Sequence, residues 1–198
     1  MAAAQPANPN APTWTIPNQI TAARLVVSLL VFVFLQLGWY FPALVFFVIG
    51  AGTDWVDGYL ARRWKQITQL GRILDPLADK IIICGTFTFL AAAPGSRILA
   101  WMAVVVLARE LVVTVIRSFL EQHGRDFSAK WSGKIKMGFQ CAAAIGSMLA
   151  LWLVPEGKTP PESLLWLPPT VTLLAWATVV STLYSGYVYV NAARRLLI

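Results

Sequence analysis

DWVDGYLARRWKQITQLGRILDPLADK, residues 54–80, sets four aspartates, Asp54, Asp57, Asp75 and Asp79, between long apolar runs. A carboxylate buried in a low-dielectric medium is costly when ionised or takes up a proton, and four close together add mutual repulsion. Such a cluster needs compensating charge, and divalent cations are the natural source. If 54–62 is helical, Asp54, Asp57, Gly58, Ala61 and Arg62 follow the i, i+3, i+4, i+7, i+8 spacing of one face. In the next segment Gly71, Asp75 and Asp79 recur every four residues, a stripe of about 12 Å at about 1.5 Å per residue. The intervening RWKQITQ is short, which makes the two segments antiparallel neighbours and brings the acids together.

Oxygen donors without a His or Cys cluster select hard cations, Mg²⁺ or Mn²⁺, and two ions would suit four carboxylates. Mg²⁺ is usually held by a few carboxylates plus substrate phosphates, so the site implies a phosphate-bearing substrate. Gly58 and Gly71 would let a ligand approach the helix backbone, Ala61 keeps that face narrow, and Arg62 offers a bidentate contact to a diphosphate. The acids could instead form intramembrane ion pairs with Arg62, Arg63, Arg72 and Lys80, but ion pairs do not require two glycines at fixed spacing. They could also bind a transported cation, but transporters place such groups near mid-membrane within broken helices or repeats, and no repeat is evident here.

The rest of the chain supplies the setting. Of 198 residues 58% are hydrophobic and 13% charged, with mean hydropathy +0.64, too apolar for an ordinary soluble domain. No period-two alternation points to a barrel, so the fold class is an all-α integral membrane protein. Six transmembrane helices are expected at 20–38, 41–61, 70–93, 97–118, 130–153 and 166–190. With both termini cytosolic, fourteen of the sixteen Lys and Arg lie on or near the cytosolic side, leaving Arg97 and Lys158 outside. Trp39, Trp101, Trp152 and Trp166 then mark the outer ends and Trp14, Trp64 and Trp131 the inner ones, while Trp55 and Trp176 fall outside this pattern. Residues 1–13 are expected to be a disordered cytosolic tail without the basic start of a signal peptide, and 14–198 one six-helix catalytic domain. Cys84 and Cys141 read as buried thiols. The net charge of +7 clusters beside spans on one side, where anionic headgroups and phosphorylated substrates, not nucleic acid, are the partners.

DWVDGYLAR, eight residues, then GRILDPLAD resembles the signature of the CDP-alcohol phosphotransferases, with every fixed position filled. The resemblance implies transfer of a substituted phosphate from a CDP-linked donor to an alcohol, releasing CMP. It implies that Asp54, Asp57 and Asp75 are the principal metal ligands. Asp79 would be the general base, also touching metal, and Asp54, Gly58, Ala61, Arg62 and Gly71 would belong to the nucleotide site. A carboxylate crowded by others and partly desolvated gains proton affinity, which suits a base. IPNQITAAR at 16–24, ARELVVTVIR at 108–117 and SGKIKMGFQ at 132–140 are similar to segments of the family's bacterial phosphatidylglycerophosphate synthases, so the likeness runs from about residue 16 to 140.

That likeness implies CDP-diacylglycerol as donor and glycerol 3-phosphate as acceptor, at the cytosolic face of a bacterial inner membrane, in a homodimer. The acceptor's phosphate needs cations of its own, and Arg24, Arg109, Arg117, Lys134 and Lys136 are candidates. Arg109 and Arg117, eight apart, should share a helix face, while Lys134 and Lys136, two apart, should diverge. Asn18 and Thr21 would order the entry of the first span. These synthases usually continue GKxK with Thr, where this chain has Met137. Cardiolipin synthases of the same family, which use phosphatidylglycerol as acceptor, are the alternative, and the ARE triplet at 108–110 favours the first reading. Glu110 could pair with Arg109, Lys134 and Lys136 could be simple membrane-edge anchors, and His123 falls in a polar loop. Gly138, Cys141, Ala142 and Gly146 read as a helix-packing stripe.

Overall fold

The computed structural model describes residues 16–64, 69–122, 131–154, 157 and 159–197. Side chains are described over a narrower set that leaves out 16–18, 20, 54–64, 69–76, 121–122, 131–132 and 195–197. Within these limits every regular element is helical: α1 Ile16–Gln36, α2 Tyr40–Trp64, α3 Gln69–Ala92, α4 Ala100–Gln122, α5 Trp131–Leu153 and α6 Leu167–Leu197, with a 3₁₀ turn at Glu162–Leu164 before α6. The tail 1–13 and His123 lie outside the described residues. The six helices match the six expected segments to within a few residues, except that α6 runs seven residues beyond the expected 190.

Among the described residues, two helices are long and apolar enough to cross a membrane by themselves, Gly133–Leu153 and Glu162–Arg194, and Thr21–Gln36 and Tyr40–Thr53 are shorter apolar stretches. Charged residues break the apolar runs of two further helices. Arg72, Asp75, Asp79 and Lys80 interrupt α3, and Arg109, Glu110 and Arg117 interrupt α4. Large apolar side chains are exposed on the spanning helices and on α4 alike, Val104, Leu111 and Val115 on α4 and Leu173, Val180 and Leu183 on α6 among them. Exposed apolar patches of this extent are tolerated against lipid and not against water.

The chain divides into two compact units at Gly85/Thr86, inside α3. In the first, α1 packs along α2. Its buried face is the stripe Thr21, Arg24, Ser28, Val31 and Leu35, the 3.5-residue repeat that keeps one helix face against a partner. Gly38 ends α1 with φ +72°, a conformation that costs glycine little. The Gly38 amide donates to the Leu35 carbonyl at 3.1 Å and the Trp39 amide to the Phe34 carbonyl at 2.8 Å, the Schellman pattern. The Phe34 and Trp39 rings stack across it at 5.9 Å, supplying the apolar contact that this cap favours.

Two glycines let α3 approach its neighbours. A Cβ on Gly50 of α2 would lie 2.6 Å from Ile82 Cδ1, and one on Gly85 would lie 2.1 Å from Phe32 Cζ of α1. Gly85→Ala is therefore expected to destabilise the protein by about 1–3 kcal/mol, the usual cost of overpacking. Thermal unfolding in detergent checks this, with Gly52→Ala as comparison. Position 52 faces open space and gains helix propensity, so that change should be neutral or stabilising.

In the second unit α6 packs on both α5 and α4. Val171, Ala175, Thr178, Thr182, Ser185 and Tyr189 are buried at spacings of four and three, again one face of a long helix. Gly146 is the close contact expected of the small-residue stripe, since a Cβ there would lie 3.3 Å from Val171 Cγ2; Gly138 faces open space. Trp176, unexplained by the belt pattern, packs its ring against Trp101 of α4 at 5.4 Å, so the two make one aromatic pair.

Candidate active site

The signature residues fall on two helices of the first unit: Asp54, Asp57, Gly58, Ala61 and Arg62 in the last part of α2, Gly71, Asp75 and Asp79 in the first half of α3. Of these only the Asp79 side chain is described, and it is half-buried. The others lie outside the described side chains, as do Arg63 and Arg72, so their placement rests on helix register. At about 100° per residue, Asp54, Asp57 and Ala61 fall within about 40° of Gly50 around α2, and Asp75 and Asp79 within about 60° of Ile82 around α3. Gly50 and Ile82 are the pair that bring the two helices into contact. The acids thus occupy register positions on the two helix faces that meet.

Among the described side chains no three of His, Cys, Asp and Glu gather, three of the four signature aspartates lying outside that set. The donor set itself, four carboxylates with no His or Cys among them, suits a hard divalent cation and not a soft one.

The second unit holds a buried polar cluster built from α4, α5 and α6. Glu110 Oε1 and Oε2 accept from Arg109 Nη1 at 3.2 and 3.3 Å, and Lys136 Nζ donates to Glu110 Oε1. Arg109 Nη2 donates to Ser185 Oγ at 2.6 Å, and the guanidinium lies over the Tyr189 ring, 5.4 Å from its centroid. Gly186 leaves room for this, since a Cβ there would lie 3.3 Å from Arg109 Cγ. The three ionised side chains are about nine-tenths buried, at 10%, 10% and 8% exposure, and carry one net positive charge. Tyr189 also belongs to an apolar cluster with Val113, Leu120 and Ala193. Desolvating three ions is expensive, and deleting one partner of such a group typically costs about 3–5 kcal/mol.

The expected acceptor cations therefore separate. Arg109 and Lys136 come together in this cluster, whereas Arg117 and Lys134 are exposed. Lys134 and Lys136 diverge as their two-residue step requires. Arg109 and Arg117 do not share a surface, because eight residues turn about 80° around the axis and advance two turns. Arg24, in the other unit, is buried in α1 beside Thr21 and Ser28. Sequence reasoning left Glu110 open and missed Ser185, Tyr189, Gln140 and Thr182; the signal was the run of hydroxyls at Thr178, Thr182 and Ser185 along one stripe of an otherwise apolar helix.

Among the described residues every regular element is helical, with the signature aspartates on α2 and α3 and a buried cationic cluster on α4, α5 and α6. Residues 14–184 match the model of the CDP-alcohol phosphatidyltransferase family, and the chain belongs to that family. It is 32% identical over 193 residues, covering 93% of this chain and 94% of the relative, to a Yersinia pestis (strain Pestoides F) protein named CDP-diacylglycerol--glycerol-3-phosphate 3-phosphatidyltransferase. A protein of the same name from Escherichia coli (strain K12) is 31% identical over 186 residues, covering 91% and 96%. One from Pectobacterium atrosepticum is 31% identical over 195 residues, covering 91% and 96%.

Proposed function

We propose that this chain transfers the phosphatidyl group of CDP-diacylglycerol to glycerol 3-phosphate, giving phosphatidylglycerol phosphate and CMP. The approach of Gly50 to Ile82 carries the reading, because it joins the two helix faces whose register positions hold Asp54, Asp57, Asp75 and Asp79. The names of the relatives, matched over nearly the full length of each chain, support the choice of substrates. All six helices span the inner membrane of a bacterium, both termini face the cytosol, and the lipid donor enters from the bilayer. A homodimer is the proposed assembly.

Asp54, Asp57 and Asp75, with Asp79, would hold two divalent cations, Mg²⁺ or Mn²⁺. When bound, such ions neutralise a diphosphate and make its phosphorus more electrophilic. The chain's own residues do the rest. Gly58, Ala61, Arg62 and Gly71, with Asp54, form the nucleotide face of α2 and α3, where glycines admit the donor and the guanidinium grips its diphosphate. Asp79 accepts the proton of the attacking hydroxyl. Arg109, Arg117, Lys134, Lys136 and Arg24 are the proposed cations for the acceptor's phosphate, a dianion that needs charge apart from the metal site.

The test is CMP release by purified protein with CDP-diacylglycerol and Mg²⁺, offered glycerol 3-phosphate, phosphatidylglycerol, serine or inositol phosphate. Release with glycerol 3-phosphate is expected. Release with phosphatidylglycerol alone would make the chain a cardiolipin synthase, and none with any acceptor would leave a cation carrier. In the same assay Arg117→Ala and Lys134→Ala should raise KM for glycerol 3-phosphate about tenfold, the scale of one lost charge-assisted hydrogen bond, with KM for the lipid unchanged.

A further inference from the structure

Among the described residues the buried cluster contains one anion, Glu110, and nothing in the proposed reaction uses it. Glu110 accepts from Arg109 on its own helix and from Lys136 on α5, so one carboxylate gathers two cations that would otherwise repel each other. Arg109 is fixed from three further directions, by Ser185, by the Tyr189 ring and by the tight approach of Gly186. A purely structural ion triad, sealed in the interior, satisfies its donors. This one does not. Among the described residues, Arg109 Nε, Gln140 Nε2 and Thr182 Oγ1 are buried and without a hydrogen-bond partner. Gln140 lies one turn beyond Lys136 on the same buried face of α5, and Thr182 one turn before Ser185 on α6. Unused N–H groups beside a net positive charge fit a ligand that presents only acceptors, and a phosphate dianion is such a ligand.

We propose that Glu110 is a positioning residue for the acceptor's phosphate: by pairing with both cations it holds Arg109 and Lys136 within reach of one anion while keeping the three side chains at a single positive charge. The inference rests on the reading of glycerol 3-phosphate as the acceptor. It gives Glu110 a role in acceptor affinity without contact with any reacting atom. Because the donor's diphosphate is assigned to the aspartates of α2 and α3, a change at Glu110 acts on one substrate only.

The experiment compares the full-length wild type with Glu110→Asp and Glu110→Gln, measuring CMP release against each substrate in turn, with thermal unfolding as a check of folding. Glu110→Asp keeps the charge but draws the carboxylate back by one methylene, so it should fold and raise KM for glycerol 3-phosphate several-fold. Glu110→Gln should raise it by roughly tenfold or more, since both cations lose their shared anchor. KM for CDP-diacylglycerol should stay within about twofold in both. If Glu110→Gln fails to fold, Glu110→Asp decides. A folded Glu110→Asp with the wild-type KM for glycerol 3-phosphate, or with both KM values raised together, overturns the Glu110 assignment alone. Absence of CMP release by the wild type with glycerol 3-phosphate overturns the acceptor reading, and this inference with it.

Discussion

Replacing Asp79 with Asn is expected to lower kcat by about 10²–10⁴-fold, the range associated with loss of a positioned general base. Asparagine keeps the shape of the side chain and its place on α3 but cannot take up a proton. Position 79 is half-buried, and thermal unfolding of the variant checks that the fold is kept. Binding of CDP-diacylglycerol, read as a rise in Tm on adding the lipid nucleotide, should persist. The combination is the informative part: turnover lost, fold and donor binding kept. Near-normal turnover in Asp79→Asn would assign the proton to another group.

Asp57→Asn should act on the metal requirement instead. Removing one of four carboxylates weakens a site whose affinity for a hard cation comes from charge and oxygen donors. Even residues that merely orient a ligand cost about 10–100-fold in metal affinity when mutated, so a loss of at least about tenfold is expected for a ligand itself. The Mn²⁺ concentration giving half-maximal CMP release should rise by that factor, about 1.4 kcal/mol of binding. Chelation should abolish release in the wild type, and added Mg²⁺ or Mn²⁺ should restore it. Activity indifferent to both chelator and substitution would remove the metal from the account.

How much of this could be read from the sequence differs between the two units. The acids of residues 54–80 announce themselves because charge in an apolar chain is rare and their spacing matches helix geometry. The helix boundaries followed from Gly, Pro and charge at the connections, and missed chiefly at α6, where Ala192, Ala193 and Arg194 extend the helix past the apolar run. What no spacing revealed was how α3 meets its neighbours. Gly50 and Gly85 look like ordinary helical glycines until Ile82 and Phe32 are seen against them. The Arg109–Glu110–Lys136 cluster was hidden for a related reason: Arg109 and Glu110 are adjacent in sequence, but the partner that completes the triad is 26 residues away on another helix. Arg117 shows the opposite error, a face match inferred from an eight-residue step whose rotation of about 80° suffices to expose it.

Electron paramagnetic resonance of Mn²⁺ added to the purified chain tests the metal-holding role of the acidic stripes most directly. The account predicts two bound ions per chain in the presence of CDP-diacylglycerol, close enough to couple, and their loss when Asp54, Asp57 and Asp75 are all changed to Asn. A spectrum of free Mn²⁺ in the wild type, or bound ions that survive the triple change, would contradict it.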